Sequence, residues 1–201
     1  MKIKICGLRR QSDIEAVNTY LPDYIGFVFV KDRKRYIAPE TAAALRRRLT
    51  PRITPVGVFL DNSTEEILTC VDCGAIEIIQ LHGSEDDAFI AQLRKKTDKK
   101  IIKAFKINSA DDLQAADASA ADMILLDSGE GSGRTFCWQL LKGFDRPYFL
   151  AGGLSPDNIA DAIDAIAPYG VDVSSGVETD GDKDEQKIQA FISICRQKEH
   201  Q

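Results

Sequence analysis

The stretch PYFLAGGLSPDNIADAIDAIAPYGVDVSS, residues 147–175, carries a whole unit of the fold. It opens on the apolar run PYFLA (147–151), turns through Gly-Gly to Ser155-Pro156, and continues into Ile159, Ala162, Ile163 and Ile166 at helical spacing. Ser before Pro predicts an N-cap followed by a first-turn proline, and the i, i+3, i+4, i+7 pattern predicts an amphipathic helix. A second apolar run, GVDVSS (170–175), follows. Strand, helix and strand in this order imply parallel pairing through a right-handed crossover.

Working outward, six more runs of the same kind precede this unit: IKIC (3–6), YIGFVFV (24–30), TPVGVF (54–59), IEIIQL (76–81), IIKAF (101–105) and DMILL (122–126). The runs begin roughly 20 to 30 residues apart, room for a helix between each pair. Ser63-Thr64-Glu65-Glu66 and Ser84-Glu85-Asp86-Asp87 have the pattern of a capping box at a helix start. Ile188, Phe191, Ile192 and Cys195 repeat the helical stripe near the C-terminus. The 136–143 segment, ended by Gly143, predicts a short sixth helix. Strands alternating with helices make this an α/β protein. Eight such units in 201 residues predict a closed (β/α)8 TIM barrel in a single domain, residues 1–201, over a doubly wound open sheet. No Pro/Ser-rich linker or composition shift divides the chain.

Composition narrows the function. Hydrophobic residues are 44% and charged residues 28%, values of a globular chain rather than a disordered one. A formal net charge of -5 and a pI near 5.1 provide no broad cationic surface, so a nucleic-acid partner is not expected. The first residues, MKIKICGLRR, are too short an apolar stretch for a signal-peptide core or a membrane span, which predicts a cytoplasmic protein with no membrane partner. Five scattered cysteines, Cys6, Cys70, Cys73, Cys137 and Cys195, are expected to be thiols.

In a barrel of this type the chemistry sits beyond the C-terminal strand ends. There the first strand offers Cys6-Gly7 and the sixth Asp127-Ser128. Either alone has an ordinary explanation, a small buried hydrophobe or a turn former. The seventh and eighth strands run into Gly152-Gly153 and Ser174-Ser175-Gly176, backbone that can approach an anion closely where barrels commonly bind phosphate. The glycine-rich loop 128–134 suits a loop closing on substrate. It lacks the G-x-G-x-x-G fingerprint, so no nicotinamide cofactor is expected. Basic residues gather at Lys31, Arg33, Lys34 and Arg35, where an arginine fork suits a substrate carboxylate. Cys70 and Cys73 resemble half a zinc site, but the other half is missing and only His82 and His200 exist, so they are expected to pack in the core and no metal is expected. The charged residues 180–185 are expected to form a solvated loop.

Taken together, KICGL (4–8), GFVF (26–29) with RY (35–36), VGVF (56–59), QLHG (80–83), LLDS (125–128), GSGRTFCW (131–138), AGGLSPDNI (151–159) and VDVSSGVE (171–178) resemble the phosphoribosylanthranilate isomerase family over essentially the whole chain. The resemblance implies a (β/α)8 barrel and a cofactor-independent, metal-independent Amadori rearrangement of N-(5-phosphoribosyl)anthranilate in tryptophan biosynthesis. It makes Cys6 the general base and Asp127 the general acid. It gives Arg35 the anthranilate carboxylate, gives Gly152, Gly153, Ser174, Ser175 and Gly176 the phosphate, and makes Asp172 a candidate for orienting sugar hydroxyls. The chemistry requires a thiolate at Cys6 and a neutral acid at Asp127. Arg33 and Glu130 depart from the family pattern, which leaves open whether Arg33 or Arg35 meets the carboxylate. A pentulose-phosphate epimerase would share the phosphate end but use metal-binding His and Asp residues. A noncatalytic phosphate-ligand sensor would have no need of both Cys6 and Asp127. The expected partner is a small-molecule substrate, for a monomer or homodimer, free or in a pathway-enzyme complex.

Overall fold

The computed structural model describes residues 1–127 and 138–199. Eight parallel strands close into a barrel in chain order: β1 Lys2–Cys6, β2 Tyr24–Val28, β3 Thr54–Phe59, β4 Ile78–Leu81, β5 Lys100–Lys106, β6 Met123–Asp127, β7 Tyr148–Ala151 and β8 Gly170–Val173. Closure is made by β1 pairing with β8, Lys4 opposite Asp172 and Ile5 opposite Val173. Every apolar run contains a strand because parallel strands are covered on both faces and read as continuous hydrophobic sequence.

Helices α1 Gln11–Tyr20, α2 Pro39–Arg46, α3 Thr64–Asp72, α4 Asp87–Arg94, α5 Ala110–Ala118, α6 Ile159–Ile166 and α7 Glu185–Glu199 surround the barrel. The Ser63 capping box forms as expected: Glu66 N donates to Ser63 Oγ at 3.3 Å and Ser63 N donates to Glu66 Oε2 at 3.0 Å. Three expectations need correction. Asp86, not Ser84, caps α4, accepting from Phe89 N at 2.8 Å, because Glu85 is drawn inward to Lys103. Ser155-Pro156 begins a turn rather than α6, whose N-cap is Asn158; Asn158 Oδ1 instead accepts from Ser155 N at 2.9 Å. Between β6 and β7 only a 3-10 turn, Trp138–Leu141, is present among the described residues, with Gly143 at φ 89° beyond it. Residues 136 and 137 lie outside the described residues, as do the predicted closing loop 128–134 and His200.

Residues alternate along each strand. One set, Val56, Ile78, Ile102, Ala104, Leu125, Phe149 and Ala151, packs inside the barrel, while Ile3, Ile5, Ile79, Ile101, Leu126 and Val171 pack in the larger core that includes the helices. The inward parity of β1, β4, β6 and β8 carries polar groups towards the C-terminal mouth: Lys4 and Cys6, Gln80, Asp127, and Asp172. Gly26 on β2 makes room for the thiol, since a Cβ there would stand 2.6 Å from Cys6 Sγ.

Candidate active site

A cavity of about 520 Å³ opens at that mouth, and Cys6, Asp127, Arg33, Arg35, Gly152, Gly153, Asp172, Ser174 and Ser175 all line it. Gly176 does not; a Cβ there would lie 1.9 Å from the Leu154 carbonyl oxygen, so this glycine lets the eighth loop pack on the seventh. Gly152 and Gly153 have φ of 94° and 64°, left-handed backbone that glycine adopts without strain. Ser174 Oγ donates to the carbonyl of Cys6 at 3.1 Å, tying the loop after β8 to the end of β1.

Beneath the thiol lies a buried ion pair, Lys4 Nζ donating to Asp172 Oδ2 at 2.9 Å. Burial works against the Lys4 charge, but Asp172 and Cys6 outweigh it and its pKa is raised. Burial raises Asp172 despite Lys4, and burial also pushes the Cys6 thiol up against the pull of Lys4 and Lys183. This direction is opposite to the thiolate that the resemblance requires of Cys6. As folded, the site favours the thiol, and desolvation is the reason.

Across the mouth, Gln80, His82 and Asp127 form a chain: Gln80 Nε2 stands 3.1 Å from His82 Nδ1, and His82 Nε2 stands 3.1 Å from Asp127 Oδ2. Two buried acceptors in this interior, Gln80 Oε1 and Asp172 Oδ1, have no protein donor. Arg35 meets Glu178 side-on, through Nε to Oε1 at 2.6 Å and Nη2 to Oε2 at 2.8 Å. Lys183 Nζ donates to the same Oε1 at 2.6 Å and to the Ser174 carbonyl at 2.9 Å. Burial would raise Glu178, but these two cations hold it down at about 2. The segment expected to be a solvated loop is thus a two-stranded ribbon, β9 Glu178–Thr179 and β10 Asp182–Lys183, which delivers a buried lysine to the site.

Among the described residues no group of three or more His, Cys, Asp or Glu is placed to hold a metal, and no helix is long and apolar enough to cross a membrane. Cys70 packs in the core, whereas Cys73, expected there too, is exposed at the end of α3. Both are free thiols, as are Cys6 and Cys195; Cys137 lies outside the described residues.

A family model described as N-(5'phosphoribosyl)anthranilate (PRA) isomerase matches residues 3–194. The chain belongs to the PRA isomerase family. A relative from Endomicrobium trichonymphae named N-(5'-phosphoribosyl)anthranilate isomerase is 44% identical over 200 residues, covering 97% of this chain and 98% of its own. The dimeric PRA isomerase of Thermotoga maritima, solved as monomers, superposes with TM-score 0.87 at 34% identity over 98% of this chain and 99% of its own. A PRA isomerase solved in complex with reduced 1-(o-carboxyphenylamino)-1-deoxyribulose 5-phosphate superposes with TM-score 0.85, also at 34% identity, over the same shares of the two chains. The epimerase alternative falls with this match. Five residues that the geometry brings to the candidate site went unassigned from sequence: Lys4, Gln80, His82, Glu178 and Lys183. Lys4 alone had a usable signal, because counting two back from Cys6 along a strand returns to the same face.

Proposed function

We propose that this PRA isomerase carries out its Amadori rearrangement with Cys6 as general base and Asp127 as general acid, as a single domain in the cytoplasm. What supports the assignment most is that a thiol from β1 and a carboxylate from β6 open on one cavity, whose lining also holds Arg35 and the two glycine-rich loops. Asp127 protonates the furanose ring oxygen as the bond from C1 breaks, leaving a protonated imine. The imine acidifies the C2 hydrogen, Cys6 as thiolate removes it, and the resulting enolamine tautomerises to the ketone. No cofactor enters.

Arg35 takes the anthranilate carboxylate. Its side-on pairing with Glu178 uses one edge of the guanidinium, and the Nη1/Nη2 edge is a second two-donor fork of the right geometry. Gly152, Gly153, Ser174 and Ser175 receive the phosphate, while Gly176 shapes the loop beneath it. Asp172 Oδ1, an acceptor lacking a protein donor, suits a sugar hydroxyl. Gln80 and His82 set the acid's proton. If the amide oxygen of Gln80 faces Nδ1–H, Nε2 is left to accept from a protonated Asp127, the form the first step needs.

The test is turnover of substrate generated in situ, followed by loss of anthranilate-type fluorescence. Cys6→Ala and Asp127→Asn should each lower kcat by at least ~100-fold, the low end for a positioned proton-transfer group, with the fold intact. Either variant keeping most of the wild-type kcat removes that residue's role, and a wild-type chain without turnover makes the protein a sensor rather than an enzyme. Light scattering decides between a monomer and a homodimer like that of the Thermotoga relative.

A further inference from the structure

We propose that Lys4 is a positioning residue for the base: buried on the same inward face of β1 as Cys6, its ammonium supplies the positive charge against which the thiolate forms, and Asp172 opposes it. The proposal rests on Cys6 being the general base.

Lys4 is fully buried. Inward positions on other strands are filled by Val56, Ile78, Ile102, Leu125 and Phe149, which need no partner. A lysine there must instead overcome a desolvation penalty, and a buried ion pair is a poor source of stability compared with a hydrophobic side chain of similar volume. Its place in the barrel therefore asks for another use, and strand alternation gives one by bringing its side chain to the same side as the Cys6 sulfur. The Lys4 ammonium acts on that thiol by charge, while it donates to Asp172 at 2.9 Å.

The charges around Cys6 make the case quantitative in sign. Lys4 comes from β1, Asp172 from β8, Lys183 from β10, and Arg35 from the loop after β2; Glu178 of β9 pairs with both Lys183 and Arg35. Across the barrel, His82 and Asp127 act on Asp172. On the base's side Lys4, Lys183 and Arg35 are cations, and Asp172 and Glu178 are anions. One positive charge is left over, and a thiolate at Cys6 is the anion that balances it. Burial alone would make Cys6 an unreactive core thiol like Cys195, whose pKa burial lifts to about 12. What separates the two is place: Cys6 opens on the cavity with the Lys4 side chain on its own strand face, whereas Cys195 packs in the helix-side core.

The test is alkylation of Cys6 by iodoacetamide across a pH series, using the full chain and reading the Cys6 peptide by mass spectrometry so that the exposed Cys73 does not interfere. In Lys4→Met the midpoint of Cys6 alkylation should rise, lowering the thiolate fraction about tenfold at a pH near the free-thiol range. In Asp172→Asn the midpoint should fall, because Cys6 becomes the counter-ion of Lys4. An unmoved midpoint in folded Lys4→Met overturns the proposal, as does a midpoint that fails to fall in Asp172→Asn. Should Lys4→Met not fold, the direction in Asp172→Asn decides alone. Full turnover by Cys6→Ala would sink the base assignment while leaving the alkylation result standing, so the two failures are separable.

Discussion

Glu178 shows how a single carboxylate can serve both site and stability. Its side chain is 7% exposed, and Arg35 and Lys183 depress its pKa from the ordinary 4.5 to about 2. A depressed carboxylate stabilises the fold above its unfolded value, and that stabilisation is lost as pH falls from about 4.5 towards 2. Urea unfolding near neutrality and again near pH ~3 should show a marked acid loss in the native chain and a smaller one in Glu178→Gln. The same variant should bind carboxylate-bearing product analogues less well, since Arg35 would no longer be held side-on; unchanged affinity would mean that Arg35 needs no aiming. At this scale legibility was uneven. Cys6, Asp127, Arg35 and Asp172 stand inside motifs that mark their positions. Lys4 shows its strand face in the sequence but not its partner, which lies 168 residues away at Asp172, and Lys183 looks like an ordinary surface lysine because the short ribbon that turns it back onto Glu178 has no apolar signature.

Among elements, the join of β4, α4 and β5 carries the clearest lesson. Ser84-Glu85-Asp86-Asp87 has the letters of a capping box, yet Glu85 turns inward. Its oxygens accept from Asp61 N and Gly83 N, both at 2.8 Å, and from Lys103 Nζ at 3.1 Å. The cap passes to Asp86: Asp87, the carboxylate that would have completed the box, accepts from Ala120 N at 3.0 Å instead, while Glu85 fixes the loops after β3 and β4 that set the rim beside His82. Lys103→Met should cost about 3–5 kcal/mol in urea unfolding by leaving a buried carboxylate unpaired, and Lys103→Met with Glu85→Gln should cost less. A double variant as unstable as the single would show that the loss is one of packing. The eight strands were legible because burial on both faces leaves a local apolar signature. The start of α6 was not, since a turn from Ser155 to Asn158 and the first turn of a helix use the same residue types.

At the scale of the molecule, closure depends on contacts that are remote in sequence. Lys4 and Asp172 are 168 residues apart, Arg196 on α7 donates to Asp23 Oδ2 at 3.0 Å and to the Met1 carbonyl at 3.2 Å, and the Met1 ammonium pairs with Glu199. The count of strand–helix units pointed to a barrel, but nothing local states that β1 must wait for β8, and none of the long-range partners of Cys6 could be assigned from one stretch alone. During refolding from urea, pulsed iodoacetamide should keep labelling Cys6 until the phase in which β8 docks, because non-local pairing forms late when loop closure is costly. Protection of Cys6 in an earlier phase than the β1–β8 amides acquire protection from exchange would reverse that order. The ribbon that delivers Lys183 follows β8, so the same order applies as the chain leaves a ribosome. Cys6 emerges well before β8 and the ribbon, and until they arrive to enclose it the group is an ordinary thiol, open to any electrophile or oxidant it meets.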